Sequence, residues 1–478
     1  QEEEARSLLE SVRSELHNRR KGDAVRLEVS SDAPEDIVQR LRSNFELDEW
    51  QIYRTGAPVN LSRLFSIYEQ AHRPELKYRP FTARELHLSP KSKDLFDELR
   101  QRDILLHHPF DSYDAVVKFI TSASADDRVV SIKQTLYRTS QDSPIFQALT
   151  EAAAVKEVTA VVELKARFDE ASNIRWAREL EDAGVQVFHG VVGLKTHCKL
   201  SLIVRRDPDG VMRRYAHLGT GNYNPVTAKF YTDLSLLTAD PQITASVQQV
   251  FAYLTAYTER PNYVPLIVAP RDFARKTISL IEREAEHARR DRPARIIAKM
   301  NALLDPPIIN ALYEASEAGV HIDLIVRGIC SLRPGLRNAS SRIRVRSVVG
   351  RLLEHSRIYY FENGGEPEYY AGSADWMPRN LYERVEVAFP IRDRDLQHRL
   401  RFEILATYLR DTAKARLLQS DGTYVRPEPE AGTPLFNAQD FLIGVAEGKL
   451  SVADIPVGQR RVKLHRRRKA RSASPQAS

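Results

Sequence analysis

Two stretches of this chain repeat the same order of strands and helices, and that duplication restricts the fold more than any other feature of the sequence. From Asp103 the pattern predicts a strand over Val129–Ile132, a helix near Ser143–Ala154, a strand Thr159–Leu164, a helix Ala171–Ala183, then strands Val185–His189 and Cys198–Arg205. The order restarts at Arg295, with a strand Ile296–Met300, a helix Pro307–Ala318, and strands His321–Val326, Ile343–Val348 and Arg357–Phe361. Alternation of this length argues for α/β sheets. Short residue matches keep the same order. Ala148-Leu-Thr-Glu-Ala152 meets Ala311-Leu-Tyr-Glu-Ala315, Lys165 meets Arg327, His197-Cys-Lys199 meets His355-Ser-Arg357, and Gly219-Thr-Gly-Asn222 meets Gly372-Ser-Ala-Asp375. The expected architecture is two related α/β domains with a site at the seam between them.

The repeats do not fill the chain. Ahead of them, Gln1–Arg20 reads as a charged helix and Arg26–Val29 as a short strand, followed by a helix Asp32–Glu46 whose apolar positions Ile37, Leu41 and Phe45 recur every four residues. This is the end of a small α+β domain, with upstream sequence expected to be missing. The divisions that follow are a partial head domain over 1–86, α/β domains over 87–265 and 266–424, and an extension over 425–478. No apolar run approaches the ~20 residues that span a bilayer, no export signal opens the chain, and the only cysteines are Cys198 and Cys330. A cytoplasmic setting is expected.

The net charge of +7 comes from 71 Lys and Arg against 64 Asp and Glu. Eight of those cations, with no acid, lie in Gln459–Ser478, so the body carries 63 against 64. Its charge gives no reason to expect a specific nucleic-acid partner, and at most peripheral attraction to a membrane is allowed by the tail.

The repeated residues carry chemistry. In Lys195-Thr-His197-Cys-Lys199, strand alternation would put His197 and Lys199 on one face, and the second copy does the same with His355 and Arg357. An imidazole beside a fixed cation suits a phosphate, because the cation neutralises oxygens while the ring attacks or protonates. One such pair would be an ordinary half-exposed strand; two in register point to a site. Each copy also supplies an acid eleven residues beyond its glycine-rich turn, Asp233 after Asn222 and Glu386 after Asp375. A carboxylate there can accept the second imidazole N–H. The expected pairing is Asp233 with His197 and Glu386 with His355, and a crossed arrangement is the alternative. Tyr231 and Arg384 stand two residues before the acids, and Lys133, Arg138, Lys165, Arg167 and Arg327 cluster near strand ends, where open α/β sheets hold ligands. His107-His108 lacks a third metal ligand at suitable spacing and is read as structural. Cys198, on the alternate face, is read as a core residue.

Paired His-x-Lys and His-x-Arg strands, each followed by Gly-Thr-Gly-Asn222 or Gly-Ser-Ala-Asp375, resemble the phospholipase D superfamily. Within it, Ile132–Arg138, Val162–Glu170, Gly193–Lys199, His217–Asn224, Tyr231–Asp240, Val326–Leu332 and Phe361–Gly365 are similar to polyphosphate kinases of the histidine-phosphorylating type, from about Leu61 to Tyr424. The resemblance implies two tandem phospholipase D-like α/β domains and reversible transfer of the ATP terminal phosphoryl group to inorganic polyphosphate through a phosphohistidine. It implies that His197 is the phosphorylated residue and His355 the second catalytic histidine, which also contacts ATP. Tyr231 and Arg327 would contact nucleotide or phosphate and Arg384 phosphate, while Lys199 and Arg357 are expected on phosphate from their place beside the two rings. Arg138 and Arg167 match the family's Mg²⁺-site positions. A guanidinium has no lone pair to ligate a metal, so both are read as clamps on phosphates that Mg²⁺ bridges. A homo-oligomer is implied as well.

The superfamily usually places an Asp seven residues past the first histidine. Here that position is Val204, and the second copy has Glu362. This argues against the alternative function, a nuclease or phospholipase that cleaves phosphodiesters. Every residue given a catalytic role precedes the basic tail. Deleting 459–478 is therefore expected to leave labelling of His197 by γ-labelled ATP intact while making polyphosphate binding less salt-dependent, as measured by titration at several ionic strengths.

Overall fold

The computed structural model describes residues 23–137, 143–164, 170–256, 262–429 and 432–455. The expected helix Gln1–Arg20, the basic tail, and Arg138, Lys165 and Arg167 lie outside the described residues.

The head portion pairs β1 (Leu27–Ser30) with β2 (Ile52–Thr55) in parallel, linked through the helix Glu35–Asn44. Its helix buries Val38, while Ile37 and Phe45 are each half exposed, so the expected Ile37–Leu41–Phe45 stripe is not the packed face. So short a helix turns only one narrow edge to its two-stranded partner.

The first repeat supplies β3 (Ile104–His108), β4 (Val129–Leu136), β5 (Glu157–Val162), β6 (Gln186–Phe188), β7 (Lys195–Thr196), β8 (Lys199–Arg206), β9 (Met212–Gly219) and β10 (Tyr231–Thr238). Eight strands of the second repeat take the same order: β11 (Ile267–Ala269), β12 (Arg295–Met300), β13 (His321–Val326), β14 (Ile343–Val348), β15 (Leu353–Glu354), β16 (Arg357–Phe361), β17 (Glu368–Gly372) and β18 (Arg384–Pro390). A hairpin of β19 (Ala415–Leu418) and β20 (Tyr424–Val425) extends the second sheet. Strands β4–β5–β6 and β12–β13–β14 are parallel; helices connect β4 to β5, β5 to β6 and β12 to β13, whereas β13 reaches β14 through an irregular segment. The helix Pro306–Ala318 shows why these crossovers form where they do. Asp305 caps its first turn by accepting from the Ile308 amide, and Gly319, at φ +113°, ends it in a left-handed conformation that a side chain would oppose.

Each sheet packs helices on its outer face. Helices Asp114–Ala125 and Pro144–Ala153 bury Phe119, Ile120, Ile145 and Leu149 against Ile132 and Val158, and helices Phe273–Arg289 and Pro306–Ala318 bury Ile281, Ile308 and Leu312 against Ile296 and Leu324. A third core joins the repeats. Leu200, Leu218 and Leu234 meet Ile358, Val385 and Val387 there, with Val247 and Phe251 of the helix Pro241–Ala256. Each fully buried aliphatic side chain contributes about 1.5–3 kcal/mol, so this shared core binds the two halves into one body.

The sheets also exchange a strand. The sequence predicts one strand through Lys195–Lys199, but the run divides into β7, which pairs with β18 of the second sheet, and β8, which stays in the first. At the break the His197 and Cys198 amides both donate to the Val385 carbonyl, at 3.0 and 2.9 Å. The second repeat divides in the same way, with β15 beside β10 of the first sheet and β16 in its own. Each histidine sits at the point where its chain crosses from one sheet to the other. The physical reason is twist: continuing as one strand would leave the seam-side ends of β10 and β18 unpaired and buried.

Candidate active site at the seam

The exchange decides which acid meets which ring. Glu386 lies on β18 beside β7, so its carboxylate reaches His197 Nδ1 at 2.8 and 2.9 Å. Asp233 lies on β10 beside β15, so its two oxygens both stand 2.9 Å from His355 Nδ1. The expected pairing within each repeat is corrected, and the crossed alternative is the one observed. A carboxylate only accepts, so each imidazole carries its proton on Nδ1 and leaves Nε2 with a lone pair.

The cations gather around these pairs with different degrees of freedom. Arg357 is fixed: Nε and Nη2 donate to Asp375 at 3.2 and 3.0 Å, while Nη1 donates to the His355 carbonyl at 2.9 Å and lies 3.2 Å from His355 Nε2. Lys199 is buried and donates to the His197 carbonyl. Arg384 Nη1 stands 3.7 Å from Glu386, and its buried Nε has no hydrogen-bond partner among the described residues. Arg327 Nη1 is likewise buried and unpartnered, on the side of Tyr231, Asp233 and Asp375. Buried donors of this kind suit phosphate oxygens. The Tyr231 ring lies 5.3 Å from that of His355.

Burial first, then Lys199, Arg384, Arg357 and His355, hold His197 well below the usual imidazole range. Burial also lowers His355, with Asp233 pulling the other way and Arg357 adding to the fall. The two acids differ. Burial pushes Glu386 up to about 7 against the pull of Lys199 and Arg384. Asp233 is held below its ordinary value, because His355 and the hydrogen bonds from His355 and Thr220 outweigh its burial. Burial takes Lys199 down to about 7, with Glu386 opposing.

Several partners escaped the sequence reading. Thr220 Oγ1 donates to Asp233 at 2.6 Å, and Ser373 Oγ accepts from the amide of Val387, the residue after Glu386, at 3.1 Å; both occupy the second position of the repeated glycine turns, and that correspondence could have revealed them. Tyr137 sets its ring edge-on to His197 at 4.9 Å, and Glu163 accepts from the Thr196 amide at 2.7 Å. No residue pattern marks these two. Lys133 is half-buried on β4 and takes no described part in the cluster. His107 and His108 are buried in β3, with His108 bonded to Ser235 at 2.9 Å. Cys198 lies in the shared core, its thiol pushed up to about 12 by burial. Glu362 stands at the far end of β16 and accepts from the Tyr360 hydroxyl, away from both histidines.

Two duplicated α/β halves that cross-supply a histidine and its carboxylate define a protein of tandem α/β domains with one site shared between them. Three family models match the chain in order: the polyphosphate kinase middle domain over residues 1–67, its C-terminal domain 1 over 94–260, and its C-terminal domain 2 over 266–439. The chain belongs to the polyphosphate kinase family. It is 49% identical over 443 residues to the polyphosphate kinase of Xylella fastidiosa, with 92% of this chain and 63% of that one covered, and 50% identical over 442 residues to that of Burkholderia ambifaria, with 92% and 64% covered. The crystal structure of polyphosphate kinase from Porphyromonas gingivalis superposes with a TM-score of 0.78 at 35% identity, covering 89% of this chain and 64% of that one. The chain thus spans somewhat less than two thirds of the length of these relatives.

Two outcomes follow from the geometry. A Cβ at Gly221 would fall 2.3 Å from Asp233 Oδ2, so Gly221→Ala must move that carboxylate. Turnover is expected to fall about 100-fold in a protein that still folds, by steady-state assay and circular dichroism. In the ligand-free protein both histidine rings should titrate below 6.5, followed by ¹⁵N NMR of the imidazoles, because burial and neighbouring cations disfavour the charged ring.

Proposed function

We propose that this chain carries the phosphoryl-transfer site of a polyphosphate kinase, working reversibly between ATP and inorganic polyphosphate through a phosphohistidine. The observation that carries this reading is the crossed pair of dyads, which engages Nδ1 of each ring with a carboxylate and leaves Nε2 for chemistry, close to arginine donors of Arg327 and Arg384 that have no hydrogen-bond partner among the described residues. His197 Nε2 attacks the terminal phosphorus of ATP, forming a P–N bond as the bond to the bridging oxygen breaks and ADP departs. In the second step the terminal oxygen of polyphosphate attacks the same phosphorus and the P–N bond breaks, restoring the ring. Glu386 orients His197 and balances the charge that the ring gains on phosphorylation. His355, oriented by Asp233, handles the proton at the leaving or attacking oxygen and contacts the nucleotide phosphates.

Lys199, Arg357, Arg384 and Arg327 neutralise equatorial oxygens, where positioning and electrostatics supply most of the acceleration. Tyr231 packs beside the nucleotide, and Arg138 and Arg167 clamp its phosphates. Mg²⁺ enters this reading as the ion that accompanies ATP. Among the described residues no group of three His, Cys, Asp or Glu side chains could hold a metal, and no step is routed through one. A cytoplasmic setting and a homo-oligomer belong to the same reading. Both cysteines are free, and no helix among the described residues is long and apolar enough to cross a membrane.

Incubation with γ-labelled ATP should leave acid-labile, base-stable label on the protein, and His197→Ala should abolish it. His355→Ala should abolish turnover while leaving at most weak labelling. The crossed pairing separates the acids: Glu386→Gln should slow labelling itself, whereas Asp233→Asn should slow turnover more than labelling, each by about 10²–10⁴-fold. Release of product from nucleic acid or lipid, with ATP ignored, would instead mark a phosphodiesterase.

A further inference from the structure

Behind His355, on the face of the strand turned away from the site, a lysine is buried where the first repeat needs only a hydroxyl. Lys299 is 1% exposed near the end of β12. Its Nζ donates to Glu354 Oε2 at 2.9 Å and to Ser356 Oγ at 2.8 Å, gripping the residues on either side of His355. Two residues along, Asn301 Nδ2 donates to the His355 carbonyl at 3.2 Å. Glu354 is 3% exposed, and its carboxylate accepts two further bonds. One comes from Thr232 Oγ1 at 2.7 Å, the residue before Asp233, and the other from Gln439 Nε2 at 2.6 Å. Gln439 belongs to the helix Ala438–Ala446 and also bonds both main-chain groups of Leu352 at 2.9 Å. Gly350 permits that approach, since a Cβ there would fall 2.3 Å from Gln439 Oε1.

The duplication supplies an internal comparison. On β12, Lys299 faces Ile358, the residue after Arg357. On β4, Gln134 faces Ser201, which sets Thr135 beside Leu200, the residue after Lys199. Thr135 Oγ1 donates to the Cys198 carbonyl at 3.0 Å and accepts from the Leu200 amide at 3.0 Å. At the position equivalent to Lys299 the first repeat thus has a neutral hydroxyl, while beside His197 the Thr196 amide donates to the buried Glu163 carboxylate at 2.7 Å. A buried ion pair is a poor way to gain stability, because desolvating both charges offsets their attraction, and apolar replacements of similar volume are often as stable. Its use at a position where the other repeat has a hydroxyl points to a requirement for placement.

We propose that Lys299 and Glu354 are positioning residues for His355, and that Gln439 makes the C-terminal helix part of the same brace. The carboxylate joins three elements at one point: β12 through Lys299, β10 through Thr232, and the C-terminal helix through Gln439. It thereby sets the register of β15 against β10, and that register holds the His355 ring on Asp233. The proposal rests on the reading that His355 takes part in turnover.

The test compares Lys299→Met, the double variant Lys299→Met with Glu354→Leu, and Gln439→Ala in the full chain. The double variant removes both charges together and keeps side-chain volume. Each is expected to fold, to lose about tenfold or more in kcat for polyphosphate synthesis with KM for ATP within about twofold, and to displace the titration of the His355 ring while leaving that of His197 unmoved. The ring signals are followed by ¹⁵N NMR and assigned with His355→Gln. A folded variant whose His355 titration and kcat match the parent overturns the proposal. So does failure of all three variants to fold, which would assign the pair to stability. A parent protein that makes no polyphosphate refutes the reading of function instead, and the His355 titration still decides the brace.

Discussion

Everything in the active site depends on the exchange of β7 and β15 between the two sheets. Without it β7 and β15 would stay in their own sheets, and neither Glu386 on β18 nor Asp233 on β10 would have the other repeat's histidine beside it. With it, Glu386 and Asp233 come within 2.9 Å of imidazoles some 189 and 122 residues distant in the chain. The price is a break in each histidine strand: at the first the His197 and Cys198 amides share the Val385 carbonyl, and at the second the His355 amide donates to the Thr232 carbonyl. The shared apolar core holds the seam closed, so that neither half presents a complete acid–imidazole pair alone.

The two dyads share a design but not an electrostatic setting. Asp233 is stabilised as a carboxylate by His355, Thr220 and the nearby Arg357. Glu386 sits deeper and is pushed up to about 7, close to Lys199, itself brought down to about 7. Glu386 is thus held less firmly as a carboxylate than Asp233, because its deeper burial outweighs the pull of Lys199 and Arg384. Such divergence between paired titratable groups is how one site divides acid, base and nucleophile roles. The supports of the two rings diverge in parallel, a threonine behind one and a buried ion pair behind the other.

Much of this was legible in the residues. The order of the elements, the duplication, both histidines, their cationic neighbours and both acids follow from periodicity and from the equal offset of Asp233 and Glu386 from their glycine turns. Strand recognition worked because buried parallel strands such as His321–Val326 are short β-branched runs bounded by helices that signal their ends. It failed at Lys195–Lys199, where local alternation predicts one strand and tertiary pairing makes two. The stripe of Ile37, Leu41 and Phe45 failed for a related reason, since periodicity shows that a face exists and not which neighbour it meets.

The sequence by itself determined the fold class, the family and most of the side chains that gather at the seam, because those reside in local patterns and long motifs that repeat within one chain. Only the tertiary structure decided which acid serves which histidine, which arginines keep unspent donors, and that Lys299, Glu354 and Gln439 converge behind His355. These are contacts between strands and helices far apart in sequence, set by how two twisted sheets close on a common core. The equal offset of eleven residues is satisfied as well by straight pairing as by crossed pairing, and the choice belongs to the packing of the seam.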